Sequence, residues 1–146
     1  MRVRHAAAIA GIAAARAVLA FILSLAFWAA APAAWGWVPT SVMTASMSPA
    51  IQVGDVVVSR PAEATALVPG RVVLADDPDH PDRWRLHRVD GIRADGALVT
   101  KGDANPTADS SPIRPETVHG VGFLRVPWIG LPVVWARSGN AVGLTA

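Results

Sequence analysis

Residues 71–100 read RVVLADDPDHPDRWRLHRVDGIRADGALVT. Three short apolar runs, Arg71–Ala75, Arg83–Ile92 and Ala97–Thr100, alternate here with clusters of Asp, Pro and Gly. Short runs bounded by turn formers mark strands rather than helices. Asp95-Gly96 is a pair favoured in two-residue hairpins, and Pro69-Gly70 supplies a turn just upstream. Outward from this stretch, Ile51–Ser59 (IQVGDVVVS) and Val118–Val126 (VHGVGFLRV) carry the same signature. No stretch after Pro39 has convincing helical periodicity. A mainly β body is therefore expected over residues 39–135.

Before that body the pattern changes. Ala17–Pro39 (AVLAFILSLAFWAAAPAAWGWVP) is 23 residues without a charge, enough as a helix to cross about 30 Å of hydrocarbon. Arg2, Arg4 and Arg16 precede it, and Trp35 and Trp37 stand at its far end. Basic residues inside and aromatic residues at the interface orient such a span. The expectation is a single-pass anchor in the cell membrane: residues 1–16 cytoplasmic, 17–38 a transmembrane helix, 39–135 an extracytoplasmic β domain and 136–146 a frayed tail. A cleavable signal peptide is the competing reading, with Met1–His5 as its basic end and small residues over Ala29–Ala34. The apolar run exceeds the usual signal-peptide core of about 7–15 residues, which favours a retained anchor. A second apolar run, Val126–Trp135 (VPWIGLPVVW), is too short to span as a helix. It reads either as a buried terminal strand or as an apolar lip at the membrane interface.

Composition narrows the chemistry. The chain has 146 residues, 52% of them hydrophobic and 16% charged, and no cysteine. That fits one modest domain beyond the anchor and excludes disulfide scaffolds, thiolate-bound metals and a thiol nucleophile. The formal charge is +2, and after Arg16 there are ten basic against eleven acidic residues. A phosphate-binding face needs clustered Lys and Arg, so nucleic acid is not an expected partner.

Ser46 lies in TASMSPAI, past the apolar run and before the first β stretch, where a hydroxyl is open to a substrate. His87 sits within an alternating strand, with Leu86 and Arg88 directed to the opposite face. It is either a half-buried structural histidine or a rigidly held base able to accept a serine proton. Asp103 and Asp109 lie in TKGDANPTAD, after the hairpin. They either orient His87 or cap turns through backbone amides. The loop holding Asp76, Asp77, Asp79, His80 and Asp82 is broken by two prolines and has no metal-loop spacing, so it reads as a solvated connection.

In order, the boxes are an N-terminal span, T-A-S-M-S-P, I-x-V-G-D-V-V-V, L-H-R-V, T-K-G-D-A-N with Asp109 downstream, and G-F-x-x-V-P-W-I-G. This order resembles signal peptidase I, in the endoplasmic-reticulum, archaeal and sporulation-type branch that uses Ser and His. The resemblance covers roughly residues 15–132. It implies a β fold of two small sheets behind one transmembrane helix. It implies a serine endopeptidase that removes signal peptides after small residues, with Ser46 as nucleophile, His87 as general base, and Asp109 and Asp103 in support. Thr44 would join the Ser46 N–H in the oxyanion hole. Ile51, Val53 and Leu86 are expected as walls of the substrate pockets. The only lysine, Lys101, belongs to the T-K-G-D box, so a Ser–Lys dyad does not fit. Ala45 stands where the family commonly has Gly, and G-D-A-N where G-D-N-N is usual. The implied partners are preprotein signal peptides and the lipid bilayer; accessory subunits are not readable. The implied chemistry needs no cofactor and no metal. A restricted-substrate peptidase for pilin or spore-coat precursors, and a non-catalytic membrane-anchored β binding module, are the alternatives.

Overall fold

A computed structural model describes residues 2–139, which divide into a helical unit ending at Trp35 and a β unit beginning at Gly36. Helix α1 runs Arg2–Ala34, and its apolar part, Ile9–Ala34, is long and apolar enough to cross a membrane. The helix starts well before residue 17 and stops before residue 38, unlike the expected span. Alanine, the strongest helix former, carries it through the N-terminal segment. At the other end the Trp35 N–H bonds the Pro32 carbonyl, and Gly36 takes a left-handed φ of 69° that ends the helix.

Six strands form one antiparallel sheet in the order β1-β2-β6-β3-β4-β5. They are β1 (Val38–Ser41), β2 (Val56–Arg60), β3 (Val72–Asp76), β4 (Trp84–Ile92), β5 (Leu98–Lys101) and β6 (Val118–Val126). The expected two sheets are one. The long strand β6 pairs with β2 along one edge and with β3 along the other, which makes the ladder continuous. What is double is the core. Leu67, Val73, Ala75, Val89, Leu98, Ile113 and Val121 form one cluster, and Val42, Met47, Ile51 and Val57 form another, with Leu86 packed against it. Alternation along strands with apolar residues at successive positions feeds both faces.

Register shifts at Val58/Ser59, Leu74/Ala75 and Val89/Gly91 mark bulges, which sharpen the twist and bend the sheet. As a result the 3-10 turn Ala45–Met47, just after β1, packs against β4, although three strands separate β1 from β4 in the sheet. The Asp95-Gly96 hairpin closes with one more residue than expected. Arg93 and Ala97 pair, and Gly96 (φ 84°) donates to the Arg93 carbonyl, a type of three-residue loop that needs glycine at its last position.

Three further expectations are corrected. Strand β1 was not among the expected strands and begins at Val38, the last residue of the expected anchor. Ile51–Asp55 is a turn rather than the start of β2, because Asp55 accepts from the Gln52 N–H and closes it. The run Val126–Trp135 is not a terminal strand. After β6 the chain turns at Trp128 and enters helix α2 (Leu131–Ser138), with Pro132 in its first turn and Gly139 left-handed at its end. Residues 136–138 of the expected tail are thus helical, and 140–146 lie outside the described residues.

Candidate functional site

Ser46 lies in the middle of the 3-10 turn Ala45–Met47, in a corner where its backbone N–H has no intrahelical acceptor. Ala45 causes no strain in this position. Among the described residues Trp128 alone of the non-glycines has a positive φ, so Ala45 needs no glycine-like conformation. The corner is held from below by the loop after β5. The Ala104 N–H donates to the Ser46 carbonyl at 2.8 Å, and a Cβ on Gly102 would stand 2.7 Å from that same oxygen. Glycine at 102 is what lets the loop approach the serine so closely.

His87 is on β4, paired with Val73 of β3, and its side chain is mostly buried. Its Nε2 lies 3.1 Å from Ser46 Oγ and its Nδ1 2.7 Å from Asp109 Oδ2. Asp109 is tied to β5 twice: its N–H donates to the Thr100 carbonyl at 2.8 Å, and Thr100 Oγ1 donates to Asp109 Oδ2 at 2.7 Å. A carboxylate only accepts, so the proton of neutral His87 belongs on Nδ1. Nε2 is then the acceptor for the Ser46 hydroxyl. Thr44 Oγ1 stands 3.2 Å from Ser46 Oγ, and with the serine proton directed at His87, the threonine is the donor of that pair. The three groups come from β4, from the loop following β5 and from the turn following β1. Only the bent sheet brings them together.

Asp103 is elsewhere. It accepts two bonds from Arg88, at 2.8 Å from Nε and 2.7 Å from Nη2, and makes no bond to His87. The Asp103 carboxylate beside it holds the Arg88 guanidinium above its ordinary pKa. Asp103 and Arg88 line a smaller hollow together with Lys101.

Ser46, His87, Asp109 and Thr44 open onto a cleft of about 760 Å³. Its apolar lining includes Val42, Met47 and Leu86. Of the expected pocket walls only Leu86 is there. Ile51 is buried in the cluster with Met47, one layer behind the lining, and Val53 does not reach the cleft. The turn at Gly54 and Asp55 directs this segment inward, whereas the extended strand expected there would have presented alternate residues. Met47, next to Ser46, and Val42 take the places foreseen for Ile51 and Val53. The loop Asp77–Arg83 and Trp84 form the opposite wall. Its carboxylates Asp77 and Asp79 both accept from Arg85 at 2.6 Å. The bond from Ser111 Oγ, then that from Arg85, holds the Asp79 carboxyl below its ordinary pKa.

Sequence reasoning missed Thr100 and Arg85. For Arg85 a signal was present: it stands two residues before His87 and therefore on the same face of the strand. Thr100 carried none, since only the folded loop shows which carboxylate it meets. Compared with known proteins, the chain matches no family model and no curated protein.

Chemically, a hydroxyl bonded to an imidazole that is in turn bonded to a mostly buried carboxylate can lose its proton as it attacks an acyl carbon. The carboxylate stabilises the imidazolium formed in that step.

Proposed function

We propose that this protein is a membrane-anchored serine endopeptidase of the signal peptidase I type, which removes N-terminal signal peptides from exported preproteins after small residues. The observation that carries this reading is the Ser46–His87–Asp109 chain, at 3.1 and 2.7 Å, opening onto a cleft.

Strand edges support it. Among the described residues β1 pairs only with β2, and Trp84–His87 of β4 pairs only with β3, because β5 joins β4 from Arg88 onward. Both edges border the cleft and both run toward the triad. An extended peptide entering the cleft can satisfy its backbone on these edges, with alternate side chains set against the lining. Val42, Met47 and Leu86 near the serine make an apolar floor suited to a small side chain. A helix long and apolar enough to cross a membrane would hold this cleft where exported chains emerge. The positive-inside pattern of Arg2, Arg4 and Arg16 sets the N-terminus in the cytoplasm and the β unit outside.

In this reaction Ser46 Oγ attacks the carbonyl carbon as its proton passes to His87 Nε2. The negative charge on the carbonyl oxygen is met by the Ser46 N–H and by the Thr44 hydroxyl. The imidazolium then protonates the leaving amine, and water, deprotonated by His87, releases the signal peptide from Ser46.

The test is cleavage of a preprotein with an Ala-x-Ala site by the full chain in liposomes, beside Ser46→Ala. Cleavage after the small residue by the wild type alone is expected. If the folded wild type cleaves nothing and a serine-directed phosphonate fails to label it, the endopeptidase reading falls and a non-catalytic binding module takes its place.

A further inference from the structure

Arg85 has a side chain only 9% exposed. Its Nη2 donates to Asp77 Oδ1 and to Asp79 Oδ2, both at 2.6 Å. Its Nη1 donates to the Ser111 carbonyl at 3.2 Å and lies 3.8 Å from Asp109 Oδ2, the oxygen that His87 also meets. The network closes on itself: Ser111 Oγ donates to the free oxygen of Asp79, and the Asp79 N–H donates to Asp77 Oδ1. One guanidinium therefore stands among three carboxylates from two segments. Two belong to the β3–β4 loop that walls the cleft; the third stands behind His87.

Three carboxylates converging on one point repel each other unless a cation lies between them, most strongly where Asp77 and Asp109 are mostly buried and water screens least. Arg85 supplies that cation. Its fork also supplies direction, since a planar guanidinium fixes several acceptors at once where an ammonium acts as a point charge. The β3–β4 loop is closed on itself by backbone bonds between Asp77, His80 and Arg83, but its side-chain ties to the rest of the fold run through Arg85 and Ser111. Asp82 and Arg83 are exposed, and His80 meets the cluster only through Asp77, at 3.3 Å.

We propose that Arg85 is a positioning residue that locks the β3–β4 loop and Asp109 into one electrostatic unit, so that the cleft wall and the His87–Asp109 bond are set together. Loss of the loop's hold on Arg85 frees the guanidinium to move toward Asp109 and compete with His87 for its oxygen. Loss of Arg85 releases both at once. The kinetic consequence rests on the peptidase reading, whereas the structural consequence does not.

The experiment uses the full chain in nanodiscs and three readouts: amide hydrogen exchange over residues 77–83, the His87 Nδ1 proton by nitrogen-15 NMR, and cleavage of a model preprotein. In Arg85→Met the loop amides should exchange at least about tenfold faster, since both charge-assisted hydrogen bonds to the loop are lost and one alone gives about that factor. The His87 Nδ1 resonance should shift, and kcat/KM should fall about 10- to 100-fold through misalignment. Arg85→Lys keeps the charge without the fork and should recover part of each loss. Asp79→Asn lies on an exposed loop and makes no contact with His87, so a purely local role would leave His87 unmoved. The coupling predicts that it shifts the His87 resonance and raises KM. An unmoved His87 resonance in Asp79→Asn overturns the proposal, and this variant decides the matter if Arg85→Met does not fold. A change confined to the loop, or to His87, in Arg85→Met overturns it as well. If both structural readouts respond in a chain that cleaves nothing, the positioning role stands and the peptidase reading alone is lost.

Discussion

Asp109 Oδ2 receives two donors, the Thr100 hydroxyl and the His87 Nδ1–H, both at 2.7 Å, and this double bond fixes which aspartate serves the histidine. Asp109→Asn keeps the shape but offers an amide where an acceptor is needed, so His87 turns to the wrong tautomer; kcat should fall by about 10⁴. On the peptidase reading His87→Ala should cost a similar factor, and adding Ser46→Ala should cost little more, since catalytic groups that act as a unit are not additive. Asp103→Asn is the control. Its carboxylate meets the half-exposed Arg88, so steady-state cleavage should keep its kcat while stability falls by only about 1 kcal/mol. A loss of kcat in Asp103→Asn comparable to that in Asp109→Asn would sink this division of roles. The serine and histidine were legible in the sequence because each sits in a short ordered box. Spacing along TKGDANPTAD leaves both aspartates within reach of the histidine; the family resemblance favours Asp109, and the loop's fold sends Asp103 toward Arg88.

At the scale of elements, the knot around Asp55 holds the turn before β2 to the end of β6. The carboxylate is fully buried. Burial pushes its pKa up, but the Gln52 N–H, the Arg125 guanidinium and the Trp128 N–H outweigh this and hold it below the ordinary value of 3.8. A group whose folded pKa is depressed contributes stability that is full above its unfolded value and is lost as pH falls through the folded one. Asp55→Asn should therefore lower stability by about 1.5–3 kcal/mol at neutral pH, the range for hydrogen bonds to a charged group. It should also flatten the acid limb of a denaturation curve below about pH 4, where the wild type is still losing this contribution. Equal acid slopes in the two proteins would refute the assignment. The same knot explains what the sequence hid. Strands β3 to β6 were legible because each is a run between turn formers. Strand β1 was masked by the apolar residues before it. Helix α2 was hidden because, at eight residues, its apolar positions read equally as a strand; the Trp128 turn and the bond from the Gly130 N–H to the Gly54 carbonyl, both long-range, select the helix.

For the whole molecule the question is whether the β unit offers lipid a surface of its own. Trp128 and Ile129 are 67% and 64% exposed, and Trp128 is kept in a left-handed conformation, φ 61°, that a bulky residue adopts only when its surroundings fix it. Asp55 does the fixing through the Trp128 N–H. Nearby in the chain, Phe123 and Leu124 on β6 are also exposed, Trp37 packs edge-on against Phe123, and Arg60 lies over the same ring. Tryptophan with aliphatic neighbours and a basic rim suits the headgroup boundary. An apolar lip there would put the cleft at the depth where the apolar helix of a signal peptide ends. The absence of cysteine makes this measurable, because any cysteine introduced is the only thiol in the chain. Ile129→Cys carrying an environment-sensitive fluorophore should report an apolar surrounding, quenched by brominated lipid, in the full chain in liposomes. Asp95→Cys, in the polar hairpin turn, should report water. A water-like signal from Ile129→Cys would remove the lip from the membrane and leave the anchoring to α1 alone, since the exposed tryptophan would then lie in solvent with its apolar area uncovered.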